Sequence, residues 1–228
     1  MSQETKLTRK DLKQPDQFLT TSNEFLIFID RYKIILLSVV VGLFLVWGVY
    51  LFLSNQQKAE DLAMESLYFQ MLQKVKESKD SSGDELISQL DSLFQQFKDG
   101  HQKLRAGLLV ADTQYLNQRY DEALASFIMV QDHARPGTLN SFLAQSGAAH
   151  SYEAQKDFKQ AIAQYKKIIE QPGGFPLFYT YLGLSRCYKL FNDPKNAELI
   201  LREMQNKFPD HVGLDRVNYS LKRLESPA

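Results

Sequence analysis

Residues 158–165 read Phe158-Lys159-Gln160-Ala161-Ile162-Ala163-Gln164-Tyr165, and their pattern recurs on either side. Tyr120-Asp121-Glu122-Ala123 is followed by Phe127, and Pro194-Lys195-Asn196-Ala197 by Leu201. Each copy thus presents a turn-start residue, an alanine three later and a large apolar residue four after that. The alanines stand 38 and 36 residues apart. Upstream, Ala111, Ala149 and Ser185 fill an equivalent small position, and Tyr152 and Tyr188 an aromatic one, where the first copy departs with Gln114. Two closely packed helices explain the pattern: the small residue lets one helix press on the other, and the bulky one a turn later fills the gap.

A period of this size, close to the 34 residues of tetratricopeptide repeats with slightly longer loops, predicts an all-α fold. No sustained period-two alternation argues for strands, whereas apolar residues recur at three and four, as in Leu86, Leu90, Leu93, Phe94 and Phe97. Breaks are expected at Asp80-Ser81-Ser82-Gly83, Lys98-Asp99-Gly100, Arg135-Pro136-Gly137, Gln171-Pro172-Gly173-Gly174, Asn192-Asp193-Pro194 and Phe208-Pro209-Asp210. They outline a tetratricopeptide-repeat-like α-solenoid over 54–228, with repeats near 104–137, 142–175 and 178–211 and a degenerate pair at 59–98. A capping helix at 210–224 follows, with Leu214, Val217, Leu221 and Leu224 on one side and Arg216, Lys222 and Arg223 elsewhere.

Ahead of the repeats, residues 34–53 read IILLSVVVGLFLVWGVYLFL, uncharged throughout. A helix of that length spans about 30 Å and matches a bilayer core. The run is longer than the apolar region of a signal peptide and leads into Ser54-Asn55-Gln56-Gln57-Lys58, not a small-residue cleavage site, so it reads as an uncleaved transmembrane helix. Ser22 to Ile29 is expected either to lie in the membrane interface or to extend the span. The preceding tail, 1–33, holds Lys6, Arg9, Lys10, Lys13, Arg31 and Lys33, against Lys58 alone in the first twenty residues beyond the span. That bias places the tail in the cytoplasm and residues 54–228 outside it.

Across 228 residues, 27 Lys and Arg balance 27 Asp and Glu, and residues 54–228 carry 21 bases and 22 acids. Near-neutrality removes the usual basis for nucleic-acid binding. The single Cys187 cannot form an internal disulfide. Enzyme chemistry finds no constellation to stand on: His101, His133, His150 and His211 lack metal-ligand spacing. Gly183-Leu184-Ser185-Arg186-Cys187 lacks the second glycine and the strand of a nucleophile elbow, leaving Ser185 and Cys187 as packing residues. No catalytic residue, metal, cofactor or small-molecule substrate is therefore expected.

A short basic tail, one span ending in Trp47 and Tyr50, the helix start Lys58-Ala59-Glu60 and divergent repeats together resemble the YfgM-like ancillary subunits of the bacterial Sec translocon. That resemblance implies a bacterial inner-membrane protein with a periplasmic domain, associated with the translocon and with periplasmic chaperones. It also implies a concave face formed by the first helix of each pair. Register then assigns Arg105, Asp112, Tyr115, His150, Glu153, Tyr179, Arg186 and Lys189 to it as candidate partner-binding residues. The asparagines of a carboxylate clamp are missing, since Asp112, His150 and Arg186 stand in their place. The expected function is a non-enzymatic membrane-anchored adaptor linking newly translocated proteins to chaperones. The alternative is a scaffold for outer-membrane or cell-wall assembly.

Overall fold

A computed structural model describes residues 17–78, 83–171 and 173–225. Among them are nine α-helices and no strand: α1 (Gln17–Glu77), α2 (Gly83–Phe94), α3 (His101–Leu116), α4 (Tyr120–His133), α5 (Leu139–Ala154), α6 (Phe158–Glu170), α7 (Phe178–Leu190), α8 (Pro194–Lys207) and α9 (Leu214–Glu225). The chain divides into two compact units, Met1–Glu60 and Asp61–Ala228. The tail bases Lys6, Arg9, Lys10 and Lys13 lie outside the described residues.

In the first unit, Ser22 to Ile29 is helical and continuous with the apolar run, which is the extension alternative for that stretch. Within α1, Leu37–Glu77 is long and apolar enough to cross a membrane. Its most apolar 18-residue window has a mean hydropathy of 2.3, and none of that window is buried in the protein. A core helix of a soluble domain would bury such a surface.

The second unit is a run of antiparallel helix pairs in which α3 packs on α4, α4 on α5, and so on to α8 on α9, while the consecutive first helices α3 and α5 also touch. Its register follows the small residues. Ala123, Ala161 and Ala197 have no exposed surface, and Phe127, Tyr165 and Leu201 are each buried one turn later. Glycine completes the fit on the facing helix: a Cβ at Gly147 would lie 2.3 Å from the Phe127 ring, and one at Gly183 2.6 Å from the Tyr165 ring. The two glycines occupy the same place in successive repeats, two residues before Ala149 and Ser185.

Two helix breaks carry no glycine or proline, and the sequence marks them only by the turn-start residues Tyr120 and Phe158. Gln118 and Lys156 take φ of 62° and 64° within the short turns α3–α4 and α5–α6, and Asn192 takes 62° in the turn α7–α8. These left-handed residues recur with the alanines, each five positions before one, so a tight turn and not a flexible linker joins each pair. Asp157 and Asp193 then cap the next helix, accepting from the backbone N–H of Gln160 and Asn196 at 3.1 and 3.2 Å. Gln114, the departure from the aromatic position, is buried, and its Oε1 accepts from the Ser126 hydroxyl at 2.8 Å, so a hydrogen bond ties α3 to α4 where the other repeats use a ring.

At the two ends the packing differs. Leu67 and Met71 of α1 join Leu86 and Leu90 of α2, Phe97, and Ala106 and Val110 of α3 in one apolar cluster. At the other end, α9 buries Val217 and Leu221 and half-buries Leu214 and Leu224 against Phe178, Tyr181, Leu201 and Met204. It begins at Leu214, because 208–213 form turns closed by backbone bonds from His211 to Phe208 and from Leu214 to His211, not the first turn of a helix running from 210.

Candidate functional site

The residues expected on the first-helix face fall into three equivalent positions. Asp112, His150 and Arg186 share one place on α3, α5 and α7, Tyr115, Glu153 and Lys189 a second, and Arg105 and Tyr179 a third. The spacings are again 38 and 36. The third position is completed on α5 by Leu143, which the sequence reading left out although the same register would have found it.

These side chains do not form one cluster. Arg105 and Asp112 line a groove of about 930 Å³ between α1, α3 and α5, whose walls include Tyr68, Leu108, Leu139 and Leu143. Leu139 and Leu143 are exposed there. Arg105 is already engaged inside the protein: its guanidinium donates to both carboxylate oxygens of Glu65, at 2.9 and 3.2 Å, and lies 4.2 Å from the centre of the Tyr68 ring. It therefore fastens α1 to α3. Burial among the groove walls pushes the Asp112 carboxyl above its ordinary value.

A second cleft brings together four of the eight, Tyr115, His150, Glu153 and Arg186, with Phe158 and Leu190. Glu153 is its hub. Arg186 donates through Nη2 to Oε2 at 2.7 Å and through Nε to Oε1, and the Tyr165 hydroxyl donates to Oε2 at 3.1 Å. The glutamate side chain is only 15% exposed against 44% for the arginine. Burial would raise the Glu153 pKa, yet the hydrogen bonds and charge of Arg186, with the bond from Tyr165, outweigh it and hold the carboxyl below its ordinary value. His150, edge-on to Tyr165 at 5.9 Å, is shifted down, chiefly by desolvation and also by the Arg186 charge. Burial likewise raises the Tyr115 and Tyr165 hydroxyls.

Lys189 does not line this cleft; with Arg186 it lines a separate one bounded by α7, α8 and α9. Tyr179 is separate as well: it is 67% exposed and stands edge-on to Phe178 and His211, whose own rings stack at 3.6 Å.

Burial pushes the Cys187 thiol up to about 12, with the nearby Glu153 adding to the shift, so it is a protonated packing group at neutral pH. Ser185 spends its hydroxyl on the Leu182 carbonyl, at 2.9 Å. Among the described residues no three His, Cys, Asp or Glu side chains gather around a point that could hold a metal. The surface offers grooves between helices, lined by aromatic, aliphatic and charged side chains. That is an arrangement for holding another polypeptide.

A family model described as tetratricopeptide repeat-like domain matches residues 28–172. Among solved structures, the chain is similar to crystal structures of nearly identical TPR-like repeats from Podosopora anserina, described as a kinesin light chain, at 15% identity and a TM-score of 0.60. The match covers 71% of this chain and 86% of that one. A single-substitution variant of the same repeats matches with the same score and identity, over 71% and 85%. At that identity the likeness is one of fold. No curated protein matches the chain.

Proposed function

The chain belongs to the tetratricopeptide repeat-like domain family, and we propose that it is a membrane-anchored adaptor of the Sec translocon. Its repeats bind protein partners through the face formed by α3, α5 and α7, linking newly translocated proteins to periplasmic chaperones. The observation that carries the binding role is the convergence of Tyr115, His150, Glu153 and Arg186 in one cleft beside the larger groove of Arg105 and Asp112. Membrane attachment rests on the unburied apolar stretch of α1. The translocon and chaperone partners, the inner-membrane location and the cytoplasmic placement of the tail rest on the resemblance and on the charge bias around residues 34–53.

Two experiments test the proposal. A reporter active only outside the cytoplasm, fused after Ala228, should be active; silence there, with activity of a tail fusion, overturns the topology. Crosslinking of the full chain in cells, followed by mass spectrometry of detergent extracts, should return translocon and chaperone components. Recovery of outer-membrane or cell-wall assembly proteins alone replaces the translocon adaptor with a scaffold for those machines.

A further inference from the structure

One shared position on the first-helix face changes charge along the repeats. It holds an acid on α3 (Asp112), a histidine held toward neutrality on α5 (His150) and a base on α7 (Arg186). Beyond α7 the basic character continues. The cleft between α7, α8 and α9 is lined by Arg186, Lys189, Arg216 and Arg223 and by no acidic residue, although the domain as a whole is nearly neutral. Arg186 is neutralised by Glu153. The other three are exposed and make no ion pair with a described acidic side chain, and on α8 Glu198 pairs with Arg202 and Glu203 with Lys207. Arg216, Tyr219 and Arg223 lie along one exposed strip of α9, at intervals of three and four, distinct from the side that buries Val217 and Leu221, and they rim the cleft beside it. The floor is apolar, with Leu182 and Leu201, so the site couples cations to a recessed hydrophobic base.

We infer that this cleft is a docking site for an acidic, leucine-bearing segment of a partner polypeptide, whose carboxylates meet Lys189, Arg216 and Arg223 and whose apolar side chain enters between α7 and α9. The inference rests on the peptide-binding reading above and gives it a direction: the acidic end of the bound segment lies at α9, away from Asp112. Three uncompensated cations in a domain with no net excess select negative charge. Recession of the apolar floor favours an inserted side chain over a flat lipid surface, which would need protruding apolar residues.

The test is fluorescence anisotropy with the full chain in neutral detergent and three labelled twelve-residue peptides alternating leucine with aspartate, asparagine or lysine. The aspartate peptide should bind best and lose affinity as salt rises. Arg216→Glu with Arg223→Glu should weaken it at least about tenfold, because each exposed attraction is replaced by a repulsion. Lys195→Glu, an exposed base outside the cleft, should leave it unchanged; circular dichroism should be the same for all three proteins. Equal binding of the aspartate and asparagine peptides, or equal loss with Lys195→Glu, overturns the inference. So does displacement of the aspartate peptide by phosphatidylglycerol added to the micelles, which would assign the cleft to lipid headgroups. If no peptide binds while crosslinks to partners persist, the cleft inference falls and the adaptor reading stands.

Discussion

The joint between α5, α6 and α7 and the joint between α1, α2 and α3 hold helices together by different means. In the middle joint, Ala161 and Gly183 bring backbones so close that the Tyr165 ring fills the remaining space, and its hydroxyl enters the Glu153–Arg186 network. In the first joint, Met71, Leu86, Leu90 and Phe97 fill the space between helices with large side chains, and the polar contact, Arg105 with Glu65, is half-buried beside them. Close approach requires particular small residues at particular places, whereas an apolar gap accepts many combinations of similar volume. One joint leaves a mark that recurs from repeat to repeat, and the other only the three-and-four spacing of one apolar helix face.

That contrast can be broken by adding volume. Ala161→Phe should cost about 1–3 kcal/mol, at the upper end because Ala161 is fully enclosed. Gly147→Ala inverts a familiar sign: alanine usually favours a helix over glycine by about 1 kcal/mol, but here the added methyl meets the Phe127 ring at 2.3 Å and the melting temperature should fall. In the first joint Met71→Leu should cost less than about 1.5 kcal/mol, as volume-conserving changes do. Equal losses for Ala161→Phe and Met71→Leu would erase the distinction.

Smaller effects sharpen it. Glu153→Ala strands the Arg186 donors and the Tyr165 hydroxyl and should cost about 1–3 kcal/mol, toward the lower end because Arg186 keeps access to water. Glu65→Ala, whose carboxylate is half-buried but more exposed than that of Glu153, should cost less, about 0–1 kcal/mol. Chemical denaturation of the two variants measures the difference. The pH dependence follows from the same cleft. The Glu153 pKa is lowered in the folded protein, so its contribution is present above the ordinary value of 4.5 and is lost as pH falls through the folded one. The His150 pKa is also lowered, so folding favours the neutral ring; that contribution is present above 6.5 and lost as pH falls below it. Stability of the repeats should therefore decline on acidification, first through His150 and then through Glu153. The combination His150→Gln with Glu153→Gln should flatten the decline, and an unchanged profile would remove both groups from the account. Smallest of all, Lys159→Phe, on the exposed side of the helix that carries Ala161, should be nearly neutral.

The register of α3 to α8 was legible because burial acts on it residue by residue: Ala123, Ala161 and Ala197 tolerate nothing larger, and their spacing survives divergence elsewhere. The conformation of the α3–α4 and α5–α6 turns was not, since Gln118 and Lys156 adopt a left-handed conformation that glycine or asparagine would have signalled. Nor did the sequence disclose that Arg105 pairs with Glu65 and Arg186 with Glu153, contacts that join residues 40 and 33 positions apart. Spacing along one helix identifies a shared face; which opposite charge a side chain meets is decided by the neighbouring helix. Leu143 shows the converse, a groove residue readable by register that a search for polar and aromatic binding residues passes over.

The central claim is that partners are held on the face of α3, α5 and α7. A photo-crosslinking amino acid placed in the full chain at Tyr115, Leu143 or Tyr179 on that face, and at Lys159 or Leu199 on the exposed sides of α6 and α8, measures it directly in cells. Adducts to other proteins from the first three positions, with none from Lys159 and Leu199, are the predicted result. Adducts from the second pair alone, or with equal yield from all five, would contradict it.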